Sequence, residues 1–125
     1  MYQPYCLYTS VAILCASGAR VARQRNRTNA LLFLVGMTSV LHHRRLDRWH
    51  YYDVVALADW SAAALLIAHM YARHGFRRPW QNAMALYAVS IVLLNRLDAF
   101  REDLRIPIHS TVHGALLAYM WILGD

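Results

Sequence analysis

The sequence predicts an all-α integral membrane helical bundle of about five transmembrane helices. Three observations point there. Of 125 residues, 58% are hydrophobic; the apolar residues gather in five near-continuous runs separated by short arginine-rich connections; and aromatic side chains cluster near the run ends. A chain of this length is a single unit, so residues 1–125 read as one transmembrane helical domain. A soluble domain this small would not need so many apolar runs.

The first run extends from about Tyr5 to Gly18. Met1 to Gly18 contains no Arg or Lys, so a cleaved signal peptide with a basic n-region is not expected and the segment stays. Cys6 and Cys15 lie nine residues apart, on roughly opposite faces of this helix, and cannot bridge each other. The second run covers Asn29 to Leu41, the third Val54 to Tyr71, and the fourth Asn82 to Leu94. The fifth covers Pro107 to Leu123, with Pro107 suited to the first turn, where its missing N–H is no loss. Several runs fall short of the roughly 20 residues that span a bilayer, so flanking aromatics and arginines must finish the crossing. Tyr2, Tyr5, Tyr8, Trp49, Tyr51, Tyr52, Trp80, Tyr119 and Trp121 are placed as interfacial belts are.

All thirteen basic residues are Arg. Arg20, Arg23, Arg25 and Arg27 follow the first run, and Arg73, Arg77 and Arg78 the third, with no acidic residue among them. Arg44, Arg45 and Arg48 are accompanied by Asp47 and Asp53, and Arg96, Arg101 and Arg105 by Asp98, Glu102 and Asp103. Seven arginines against six favour an outside N-terminus only slightly, since acids hardly enter the orientation rule. The net charge of +6 does not imply nucleic acid, because the basic residues are spread over four connections and form no single stripe.

Short connections force successive helices to run antiparallel, so the end of the second helix and the starts of the third and fifth share one membrane face. Ser39 and His43 close the second run, Asp59 lies early in the third, and His109 and His113 open the last. Gly36, Ala58, Ala62, Ala63, Gly114 and Ala118 put small side chains on these helices, which lets membrane helices approach closely. Ionisable groups at one depth in a membrane are costly unless they bind something.

The i, i+4 spacing of His109 and His113 aims both imidazoles from one face at a common ion, and His43 completes a three-histidine set. Three neutral nitrogens leave Zn2+ an open position, where water falls toward a pKa of ~7 and becomes nucleophilic. Asp59 then serves as general base, and Ser39 as a supporting contact or oxyanion donor. His42 points about 100° away from His43 and His50 falls in a connection, so both are spares. His69 and His74 belong to the opposite face, and Asn95 satisfies a neighbouring carbonyl. No phosphate-binding glycine loop, zinc-spaced Cys pair or Gly-x-Ser-x-Gly elbow is present. Two other classes share these residues: a haem-binding subunit with His43 and one of His109 or His113 as axial ligands, and a noncatalytic accessory membrane subunit whose polar groups only join helices.

Ser39-x-x-x-His43, Asp59 and His109-x-x-x-His113 resemble the CREST superfamily of membrane hydrolases, which includes alkaline ceramidases and adiponectin-type receptors. Its members typically have seven spanning helices, so this chain resembles a reduced version. The resemblance implies histidines holding zinc, an aspartate contacting metal-bound water, a serine belonging to the site, and hydrolysis of a lipid amide or ester within the bilayer. The expected partners are a membrane lipid substrate and the bilayer itself, in a multi-pass protein of a membrane the sequence does not specify. Formation of a homo-oligomer through the surfaces of five short helices would enlarge the pocket.

Overall fold

The computed structural model describes residues 5–44, 54–97 and 99–123. Five helices and no strands occupy them: α1 Tyr5–Arg23, α2 Arg27–His43, α3 Val54–His74, α4 Pro79–Arg96 and α5 Glu102–Leu123. Tyr2, Arg45, Asp47, Arg48, Trp49, His50, Tyr51, Tyr52, Asp53 and Asp98, to which the sequence assigns belt, loop or charge roles, lie outside the described residues.

Local chemistry sets the boundaries. Asn26, in extended conformation, caps α2 by accepting a hydrogen bond from the Asn29 N–H at 2.8 Å. Gly75 ends α3 with φ of +65°, a left-handed conformation that favours glycine, and its N–H donates to the Tyr71 carbonyl at 2.8 Å. Pro79 opens α4 after an extended Arg78.

The fifth helix departs from expectation: it begins at Glu102, leaving Pro107 inside it. Asp103 occupies its first turn, where a carboxylate suits the positive end of the helix dipole. A proline this close to the start removes one internal hydrogen bond, that to the Asp103 carbonyl, without ending the helix. His109 consequently stands about 10 Å along α5 rather than at its mouth.

The helices pack in the spatial order α3, α2, α1, α5, α4. First and last helices are therefore neighbours. Cys6 Sγ donates to the Ile106 carbonyl at 3.3 Å, and Arg20 Nη1 to the Met120 carbonyl at 3.2 Å, which sets α1 and α5 parallel in fixed register. A core of Ile13, Leu32, Val35, Leu66, Met70 and Leu116 joins α1, α2, α3 and α5. Gly36 meets the α1 backbone at Leu14, and Ala62 is buried. Ala58, Gly114 and Ala118 face outward and do not serve the close packing expected of them.

Although consecutive, α3 and α4 do not pack along their lengths. Their contacts gather at the turn, where Tyr71 Oη donates to Asn82 Oδ1 at 2.7 Å and Gln81 Nε2 to the Gly75 carbonyl at 3.1 Å. The rest of the seam is an open cleft.

Among the described residues polar side chains are as numerous as apolar ones at the buried positions, while Leu57, Leu65, Leu86, Val89 and Leu93 are exposed. Tyr119, expected at an interface, is instead buried, with its hydroxyl donating to Gln81 Oε1 at 3.1 Å. Among the described residues one helix, α1, is long and apolar enough to cross a membrane. The 17-residue α2 is shorter and ends on two histidines.

Candidate metal centre

Ser39 and His43 of α2, Asp59 of α3, and His109 and His113 of α5 are all buried and converge at one end of the bundle. The ring centroids of His43 lie 5.1 Å from His109 and 4.9 Å from His113, and the α5 pair is 4.9 Å apart. The i, i+4 spacing thus delivers both imidazoles to the side from which His43 arrives. Asp59 Oδ2 is 3.8 Å from His43 Nε2, and Ser39 Oγ is 3.4 Å from His113 Nε2.

His42 is not a spare. Its Nδ1 is 2.8 Å from Asp59 Oδ2, and its ring stacks on His43 with centroids 4.4 Å apart. Helical geometry does turn His42 away from His43, but that direction leads to the start of α3, where the carboxylate stands. The adjacent pair His42-His43 thus faces one oxygen of Asp59, His42 at hydrogen-bond distance and His43 at 3.8 Å.

Helix α1 contributes residues that the sequence pattern left unassigned. Thr9 Oγ1 lies 2.9 Å from His113 Nδ1, and Ser10 Oγ lies 2.8 Å from Ser39 Oγ and 3.4 Å from His113 Nδ1. Counting protons orients the network. When the single hydroxyl proton of Thr9 goes to the Tyr5 carbonyl at 2.8 Å, the matching tautomer has His113 Nδ1–H donating to Thr9, which leaves the Nε2 lone pair for a cation. In the same way Ser10 donates to the Cys6 carbonyl at 2.5 Å, and Ser39 donates to Ser10. This fixing of a ring through its far nitrogen is how metal-binding histidines are generally oriented. Cys6, Thr9, Ser10, Ile13 and Ser17 repeat at helical spacing; that periodicity, with hydroxyls among it, was the available signal for a polar face on α1.

Two buried sets have ligand atoms within 4.8 Å of one another: Cys6, His43 and His113, and His42, His43 and Asp59. Both could hold a metal ion. His43 belongs to both; His109 belongs to neither and adjoins through the ring contacts given above, so the expected trio of His43, His109 and His113 has its rings together without forming such a set. Imidazole and thiolate donors suit zinc and its neighbours rather than magnesium or calcium.

The cleft between α3 and α4 ends on this cluster. Ala63, Ile67, Met84, Ala88 and Val92 form its walls, and Ser39, Asp59, His109 and His113 its floor, around a volume of about 90 Å³. An apolar path with convergent polar groups at its end is the usual form of a small-molecule site. No protein-family model, curated protein or solved structure matches this chain.

Proposed function

We propose that this chain is a multi-pass membrane protein and a zinc-dependent hydrolase of a lipid amide or ester, a reduced relative of the CREST hydrolases. The observation that carries the reading is the convergence of three imidazoles, a carboxylate and a hydroxyl, of which Ser39, Asp59, His109 and His113 line the end of an apolar cleft. The membrane assignment is supported by the distribution of polarity: interior positions hold Ser10, Asn29, Asp59, Gln81 and Asn95, while large aliphatic side chains face outward. In lipid this arrangement buries what water would otherwise solvate.

His43, His109 and His113 would hold the ion. When bound, zinc supplies Lewis acidity toward the scissile carbonyl and lowers the pKa of water to near neutrality. Asp59, held by His42 at 2.8 Å, is placed to take the proton of the attacking water and to return it to the leaving amine or alkoxide. Rotation of the Ser39 hydroxyl away from Ser10 turns its proton toward the oxygen on which charge develops. The cleft walls would accept an acyl chain from the bilayer, and the seam between α3 and α4 opens sideways, so a substrate need not leave the membrane. Imidazoles 4.9 to 5.1 Å apart leave no room for a porphyrin plane between them, which disfavours the haem reading.

Elemental analysis of detergent-purified protein tests this reading, wild type beside a His109→Ala, His113→Ala double variant. About one zinc per wild-type chain, absent from the variant, is expected. Release of fatty acid from ceramide or phospholipid vesicles should disappear with it. Freshly prepared wild type without metal would sink the hydrolase assignment and leave a noncatalytic bundle.

A further inference from the structure

Helix α1 also brings a thiol to the centre. Cys6 is buried, and its Sγ shares the 4.8 Å set with one ring nitrogen of His43 and one of His113. Those three donors come from α1, α2 and α5, so they meet by tertiary packing and not by local spacing. The register that puts them together is set at the same place, where Cys6 Sγ donates to the Ile106 carbonyl. That carbonyl is also the helical acceptor for the Ser110 N–H, so it stays satisfied when the thiol proton departs.

We propose that Cys6 is a metal ligand, its thiolate joining His43 and His113, with His109, outside that set but with its ring 5.1 Å from that of His43 and 4.9 Å from that of His113, drawn in as the fourth donor. The proposal rests on the metal-binding reading above and adds a property to it: the resting centre has no open position, and water gains access only when the Cys6 sulfur leaves. Coordination breaks the Sγ–H bond as the Sγ–metal bond forms; the proton passes to solvent, and nothing is oxidised or reduced. Cys15, nine residues along α1, is exposed and takes no part.

Cobalt(II) is the probe, titrated into a Cys15→Ser variant so that Cys6 is the sole thiol. A near-ultraviolet thiolate-to-cobalt charge-transfer band is expected, together with the visible bands of a tetrahedral ion. In Cys6→Ser, Cys15→Ser the near-ultraviolet band should vanish, the visible bands should persist through the three imidazoles, and affinity should fall by about tenfold or more. Zinc should also slow maleimide labelling of Cys6 in the Cys15→Ser protein, with chelator restoring the rate; this readout needs no substitution at Cys6. Visible bands without charge transfer, with unchanged labelling, would overturn the thiolate ligand and leave the histidine centre standing. Failure of cobalt and zinc to bind at all would overturn both.

Discussion

Gly36 lies on α2, one turn before Ser39, and faces the backbone of α1. A Cβ there would come within 2.8 Å of Leu14 Cα, 3.0 Å of Leu14 N and 3.3 Å of Leu14 Cβ. Ordinary contact begins at 3.4 Å, so Gly36→Ala must part the two helices by about 0.6 Å, because backbone atoms cannot rotate aside as a side chain can. Overpacking of this kind costs ~1–3 kcal/mol, and at roughly 4 °C per kcal/mol the midpoint of thermal unfolding should fall by about 4 to 12 °C. The same displacement stretches the Ser10–Ser39 hydrogen bond from 2.8 Å to about 3.4 Å, the limit of useful geometry. It also draws His43 away from the α1 and α5 donors, so zinc should bind about tenfold more weakly. Thermal unfolding in detergent and a competitive zinc titration measure the two effects. Wild-type values for both would show that α1 and α2 are not locked together at this point, and the account of how α1 builds the site would fail.

Asp59→Asn should retain the metal yet lower lipid hydrolysis by ~10²-fold or more, as loss of a general base does; parallel zinc analysis and vesicle assays check it, and full activity would remove Asp59 from the chemistry. Thr9→Val deprives His113 Nδ1 of its acceptor and should weaken zinc binding about tenfold with little change in helicity, read by competition titration and circular dichroism. Asn29→Ala should destabilise the opposite end by ~1–3 kcal/mol, because Asn29 accepts from Arg20 Nε at 3.0 Å and donates to the Gln24 carbonyl at 2.7 Å. Thermal unfolding measures that loss, and metal content should be unaffected.

The five helices were legible because each is an uninterrupted apolar run between arginine-bearing connections, and the depth of Ser39, Asp59 and His113 followed from antiparallel order alone. Lateral order was not legible. Nothing local in Tyr5–Arg23 states that it sits beside α5, since Cys6–Ile106 and Arg20–Met120 join residues 100 apart. For that reason the sequence assigns Thr9 and Ser10 no role, although both also bond to their own helix backbone. His42 was misjudged for a related reason: its direction was read correctly, but what waits in that direction depends on how α3 packs. Pro107 misled because its preference for a first turn is strong, and the segment before it carries charges that resemble a connection.

Pairing the first helix with the last has a bearing on biosynthesis. While the ribosome is still adding residues before Glu102, Thr9, Ser10, Cys6 and Ser39 precede the α5 imidazoles they serve, and of the two sets that could hold a metal ion the chain can form only His42, His43 and Asp59. Only α5 supplies His109 and His113, and it does so by packing on α1. Assembly of the centre that joins α1, α2 and α5 therefore waits on synthesis of α5: a chain stopped before it keeps the His42, His43 and Asp59 set but lacks the two imidazoles that bring α1 and α2 to a common site.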